Sequence, residues 1–147
     1  MTTSPVLSPS ADAVWQVTVD ALGEVVWLLD LEQKILRANK ATEAVFGVPA
    51  AEVIGKKCWE VAHGTAEPIP ECPMVRMKAS GRRQCTSLQA GHRCTDVSVD
   101  PLVAESGRLV GAVHLISDVT THVNLEAELR QAQKLADVGR LAGGVAH

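Results

Sequence analysis

The chain carries no Lys or Arg before Lys34. A secretory leader opens on a basic segment, so none is expected here. Long apolar runs are also missing: the longest, VVWLL at 25–29, falls far short of the roughly 20 residues a membrane helix needs. Positive charge is scarce, with 14 Lys and Arg against 17 Asp and Glu for a net charge of −3. No basic stripe stands out either, which excludes an electrostatic footprint for nucleic acid. Aromatics make up only 3%: Trp15, Trp27, Trp59 and Phe46, with no tyrosine. The three tryptophans are expected in the core or at an interface. No G-x-x-x-x-G-K-[ST] loop is present to cradle a nucleotide phosphate. None of the four cysteines forms a C-x2-C pair, which excludes the standard zinc-finger spacings. With no export signal, free thiols, metal binding or redox chemistry are favoured over a disulfide framework. The expected location is the cytoplasm.

What is present is globular. The chain is 46% hydrophobic and 21% charged, and 147 residues suffice for one domain plus an appendage. Residues 1–10 are rich in Ser, Thr and Pro and predict a flexible arm. Residues 11–22 predict a short amphipathic helix with Ser10 as its N-cap, lying on the core or making a dimer contact. The run 24–30 and ILRA at 35–38 predict a hairpin. Asn39 is expected to cap a helix that Gly47 ends. Further helices are expected from Cys58 to Gly64 and from Pro73 to Ser80. Strands are predicted at 84–88, 94–103 and 109–118, followed by a helical run over 119–147. In that run Leu125, Leu129 and Ala132 form one apolar seam, and Leu135, Val138, Ala142 and Val145 another, with a heptad break between them. Such a helix cannot bury itself alone, so its expected partner is the same helix of a second copy.

This order is α+β: a five-stranded antiparallel sheet flanked by short helices, with a long C-terminal coiled-coil helix. Together with N-x-A-x-x-x-x-F-G at 39–47 and D-V-T at 118–120, it resembles a PAS domain over 11–120. The tail QAQKLADVGRLAGGVAH resembles the start of the dimerisation and phosphotransfer helix of bacterial histidine kinases, whose phosphoacceptor box begins Ala-His like Ala146-His147. The resemblance implies a 121–147 segment that presents His147 as phosphoacceptor, a homodimer, and a response regulator as downstream partner. It also implies a fragment that cannot autophosphorylate, because the ATP-binding domain is absent. No N-C-R-F-L segment of a flavin photosensor is present.

The segment 55–76 concentrates Cys58, His63 and Cys72 among Gly64, Pro68, Pro70 and Pro73. Cys58 starts a helix beside Lys56 and Lys57, where dipole and ammonium groups favour a thiolate. Pro73 suits the first helical position, making Cys72 the N-cap. The three residues converge only if the proline-stiffened loop folds back. A fourth ligand is expected at His114, Cys94 or Cys85. An iron–sulfur cluster is the favoured occupant, with haem held by His63 or Cys72 and a closed zinc site as competitors. In the remaining reading, Cys58 and Cys72 are small buried hydrophobes and nothing is bound. Cys85 and Cys94 flank a strand turn and could face each other across it as a redox pair, but two free thiols are expected in a reducing cytoplasm. The predicted function is a redox, gas or metal-linked sensor that signals through a hinge at Asp118 and Thr120. The rival is a cofactor-free dimerisation or interaction module with structural cysteines.

Overall fold

The computed structural model describes residues 10–145. Five antiparallel strands, β1 (Val25–Leu29), β2 (Ile35–Ala38), β3 (Gln84–Ala90), β4 (Arg93–Val103) and β5 (Leu109–Asp118), form one sheet in the order β2-β1-β5-β4-β3. Their side chains alternate between faces. Val25, Trp27 and Leu29 therefore point the same way as Ala112, His114 and Ile116, and as Val97 and Val99. All eight are buried. Each fully buried aliphatic or aromatic side chain contributes about 1.5–3 kcal/mol, so this face holds the fold's main driving force.

Four short helices cover it: α2 (Ala41–Phe46), α3 (Ala50–Val53), α4 (Cys58–His63) and α5 (Pro73–Ser80). Val53, Met74 and Met77 are fully buried beneath them. Trp27 is the centre of the core, donating from Nε1 to Thr42 Oγ1 at 3.0 Å and stacking on Phe46 with 5.2 Å between centroids. Gly111 marks a close approach of β5 to β1, where a Cβ would collide with the Leu29 carbonyl oxygen.

The N-terminal helix α1 (Ala11–Asp20) begins as expected, with Ser10 Oγ accepting the Ala13 N–H at 3.1 Å. Asn39 behaves otherwise than expected. The N-cap of α2 is Lys40, without a side-chain capping bond. Asn39 is fully buried, accepts the Val26 N–H at 2.9 Å, and donates to the carbonyls of Val19 and Glu24 at 2.8 and 2.7 Å. It joins the end of α1 to the start of β1, whose orphan backbone groups need a partner away from water.

The last helix, α6 (Thr120–Val145), follows β5 after one residue. Its residues 121–143 are all exposed. Leu125, Leu129, Leu135 and Val138 are each more than half exposed, at 59, 69, 67 and 62%. Of the tail residues singled out above, Ala146 and His147 lie outside the described residues, as do residues 1–9 of the arm.

Candidate functional site

Between the sheet and α4–α5 lies a cavity of about 350 Å³. Its walls include Phe46, Trp59, Ile69, Val97 and Ile116, and its lining also contains Cys58, His63, Cys72 and His114. The chain brings them there in three ways. Pro73 occupies the first turn of α5 and leaves Cys72 as the N-cap residue, as its sequence position implies. Gly64, at φ 64°, ends α4 in the left-handed region that glycine enters at no steric cost, and leaves His63 at the cavity mouth. His114 lies two residues from Ala112 and Ile116 on the inward face of β5, with its ring edge-on to Trp27 at 5.7 Å between centroids.

The two thiols share one donor. Gln33 Nε2 lies 3.4 Å from Cys58 Sγ and 3.5 Å from Cys72 Sγ. Gln33 itself is 2% exposed and holds a left-handed backbone at φ 66°, uncommon for a side-chain-bearing residue. The turn around it is bound from both sides. Asp30 Oδ1 accepts from the N–H groups of Glu32 and Lys34, and the Gln33 carbonyl accepts the Cys58 N–H at 3.0 Å. Nothing in the sequence separates Gln33 from any other turn residue; its role exists only once the β1–β2 turn meets α4.

The Cys58 thiolate expected from the helix start and its lysines is not favoured. Burial pushes this thiol up to about 11, outweighing the Gln33 hydrogen bond that lowers it. Lys57 is directed elsewhere, donating to the Glu32 carbonyl at 2.8 Å. His63 is lowered by burial. His114 is pushed down to about 4, by burial first and by His63 second, so its imidazole is neutral at physiological pH. Neither His114 ring nitrogen has a hydrogen-bond partner among the described residues, and the buried Nε1 of Trp59 has none either.

Of the three fourth ligands expected beside Cys58, His63 and Cys72, only His114 lines the cavity. Alternation turns Cys85 and Cys94 away from the cavity. Cys85 pairs with Ser98 and Cys94 with Gln89, whereas the inward residues of β4 are Val97 and Val99. By the same register Cys85 and Cys94 do not face each other across the turn, and both are free thiols. Among the described residues no group of three or more His, Cys, Asp or Glu side chains is placed to hold a metal ion, as a zinc site would require. Haem asks for only one axial donor. A cavity of about 350 Å³, however, is at the small end for ligand sites. The arrangement offers mostly apolar walls, among which Cys58, Cys72 and His114 are buried.

The rim adds a residue the sequence reading passed over. Arg93 lines the cavity and donates to the Val45 carbonyl at 2.5 Å, while its Nε lies 3.7 Å from Asp118. Asp118 Oδ1 in turn accepts from Thr120 N–H at 3.0 Å and Thr120 Oγ1 at 2.5 Å, which holds its carboxyl below the usual range. Thr120 Oγ1 also accepts the Cys94 N–H at 2.9 Å. The first turn of α6 is thus tied to the first residues of β4, next to the cavity mouth.

A half-covered antiparallel sheet with an internal cavity and a helix leaving its last strand defines a class of small α+β domains. The PAS fold family matches residues 19–124, and the chain belongs to that family. Solved structures agree. The fold is similar to an RNA-binding light-oxygen-voltage receptor, at 23% identity and a TM-score of 0.66, covering 90% of this chain and 41% of that one. It is similar to a sensory box sensor histidine kinase from Vibrio cholerae, at 14% identity and a TM-score of 0.56, covering 74% and 92%. It is also similar to the PAS domain of BvgS from Bordetella pertussis, at 21% identity and a TM-score of 0.52, covering 82% and 96%. No curated protein matches the sequence. Among the described residues no helix is long and apolar enough to cross a membrane.

Proposed function

We propose that the chain is the cytoplasmic sensory module of a histidine kinase. Its cavity receives the signal and α6 transmits it, paired with the same helix of a second copy, to His147 as phosphoacceptor and onward to a response regulator. One observation carries this reading: Arg93 both lines the cavity and ion-pairs with Asp118, whose carboxylate holds Thr120 at the start of α6. A group that displaces Arg93 at the cavity mouth loosens the junction from which the helix departs. The kinase assignment is supported by the 131–147 tail and by the fold's likeness to sensor histidine kinase domains. The input favoured by the cavity is a small molecule and not a metal, with Cys58 and Cys72 acting as paired acceptors that fix Gln33.

The test is phosphorylation of the chain joined in frame to the dimerisation and ATP-binding domains of a histidine kinase. Asp118→Ala is expected to fold and to phosphorylate His147 at a rate that no longer follows the signal, and Arg93→Gln to behave alike. Regulation unchanged in both variants, or label retained in His147→Gln, refutes the relay.

A further inference from the structure

One cation stands in the lining of the cavity. Arg93, the first residue of β4, is the only Lys or Arg there, and burial lowers both histidines of the lining, His63 and His114, away from their charged forms. The walls are otherwise mostly apolar or aromatic, with Phe46, Ile69, Val97 and Ile116 among them. The guanidinium is held against this wall: its Nη1 donates to the carbonyl of Val45, the residue before Phe46, at 2.5 Å. The rest of its fork is underused. Nε stands 3.7 Å from Asp118 Oδ2, too far for a hydrogen bond, and Nη2 makes none among the described residues. Asp118 is also a weak rival for this cation. Its Oδ1 accepts from the N–H and Oγ1 of Thr120, which lower its carboxyl more than Arg93 does. The Arg93 side chain is 47% exposed, so a charge meeting it at the mouth keeps part of its water. Glu71, the one acid in the lining, is exposed as well, and solvent screens its repulsion.

We propose that this cavity binds an organic monocarboxylate with a compact apolar body, its carboxylate pairing with Arg93 at the mouth in place of Asp118 and its body held by Phe46, Ile69, Val97 and Ile116. The proposal rests on reading the cavity as the input site and adds what enters it. A planar carboxylate accepts two parallel N–H bonds from a guanidinium fork, a geometry that a neutral carbonyl oxygen does not match. A second negative charge on the same compound would have to enter apolar walls without a partner. About 350 Å³ limits the body to about one ring or a short chain. The exchange of one carboxylate for another at Arg93 releases Asp118, and with it the ion pair beside Thr120 at the start of α6.

The experiment is an NMR titration of this chain at neutral pH with three probes: phenylpropionate, its neutral isostere phenylpropanamide, and acetate. Phenylpropionate is expected to bind saturably, moving the Arg93 Nε–H and the methyl signals of Ile69 and Ile116, and to bind about fivefold tighter than the amide. Acetate, which has the charge without the body, should not saturate. Arg93→Gln should bring the acid and amide affinities together, and saturable amide binding by that variant shows that its cavity is kept. Asp118→Asn removes the rival carboxylate and should tighten the acid but not the amide. Equal affinities for acid and amide in the wild-type chain, a preference that survives Arg93→Gln, or acid affinity unchanged in Asp118→Asn overturns the proposal. So does acetate binding as tightly as phenylpropionate, or no saturable shift at cavity residues with any probe. Because the titration needs no kinase, its failure leaves the relay standing, whereas ligand binding without altered phosphorylation refutes the relay alone.

Discussion

Replacing His114 by leucine should abolish most of the acid sensitivity of this fold. The imidazole is enclosed against Trp27, and burial, assisted by His63, lowers it from 6.5 to about 4. Its charged form is therefore disfavoured in the folded chain and free to form in the unfolded one. Between these two values the unfolded state binds more protons, so stability is full above about pH 6.5 and falls as pH drops through the window. For a single group with these two values, the loss between about pH 7 and pH 4.5 is about 2 kcal/mol. The assay is urea unfolding of both proteins at the two pH values. The His63 contribution has the same sign and is largely common to both, so the double difference isolates His114. The wild-type chain should lose about 2 kcal/mol more than His114→Leu. Equal losses in the two proteins would show that His114 is not enclosed, and the reasoning from its burial would fall with it.

Cys85 should react with iodoacetamide in the native state, while Cys58 and Cys72 react only on unfolding, as timed mass spectrometry of the labelled peptides would show. Because the Cys58 thiol is raised to about 11 by burial, stability is full below about pH 9 and falls as pH climbs towards 11, by up to about 3 kcal/mol. Cys58→Ala should flatten that alkaline limb in a denaturation series. Asn39→Ala removes two buried hydrogen bonds and one part-buried one at once and should destabilise the domain by about 3 kcal/mol in chemical unfolding, loosening α1 first.

The sheet was legible because alternation and turn residues mark strands locally. VVWLL, ILRA and the long runs ending at Val103 and Asp118 all became strands within a few residues of their expected bounds. His114 could be assigned a face from its spacing to Ala112 and Ile116, and Pro73 and Gly64 announced the ends of α5 and α4. What escaped are residues whose roles depend on distant partners. Asn39 resembled a cap because Asn caps helices, yet three backbone groups from α1 and β1 claim its side chain. Gln33 and Arg93 carry no local signature, since their partners lie 25 to 48 residues away in sequence. The Cys58 thiolate was misjudged for a related reason. Helix dipole and neighbouring lysines are visible in sequence, whereas the depth of burial that outweighs them is not.

The exposed helix α6 also has mechanical consequences. Its 26 residues extend about 39 Å from Thr120 at the usual helical rise. A tilt of about 5° at that residue would carry the far end through about 3.4 Å, more than half the pitch of one turn. Because residues 121–143 are exposed along their length, such a swing sacrifices almost no packing within the chain. In the relay proposed above, the domain would work as a short-throw actuator: a small adjustment near Arg93 and Asp118 would become a displacement large enough to change which residues of two paired helices meet.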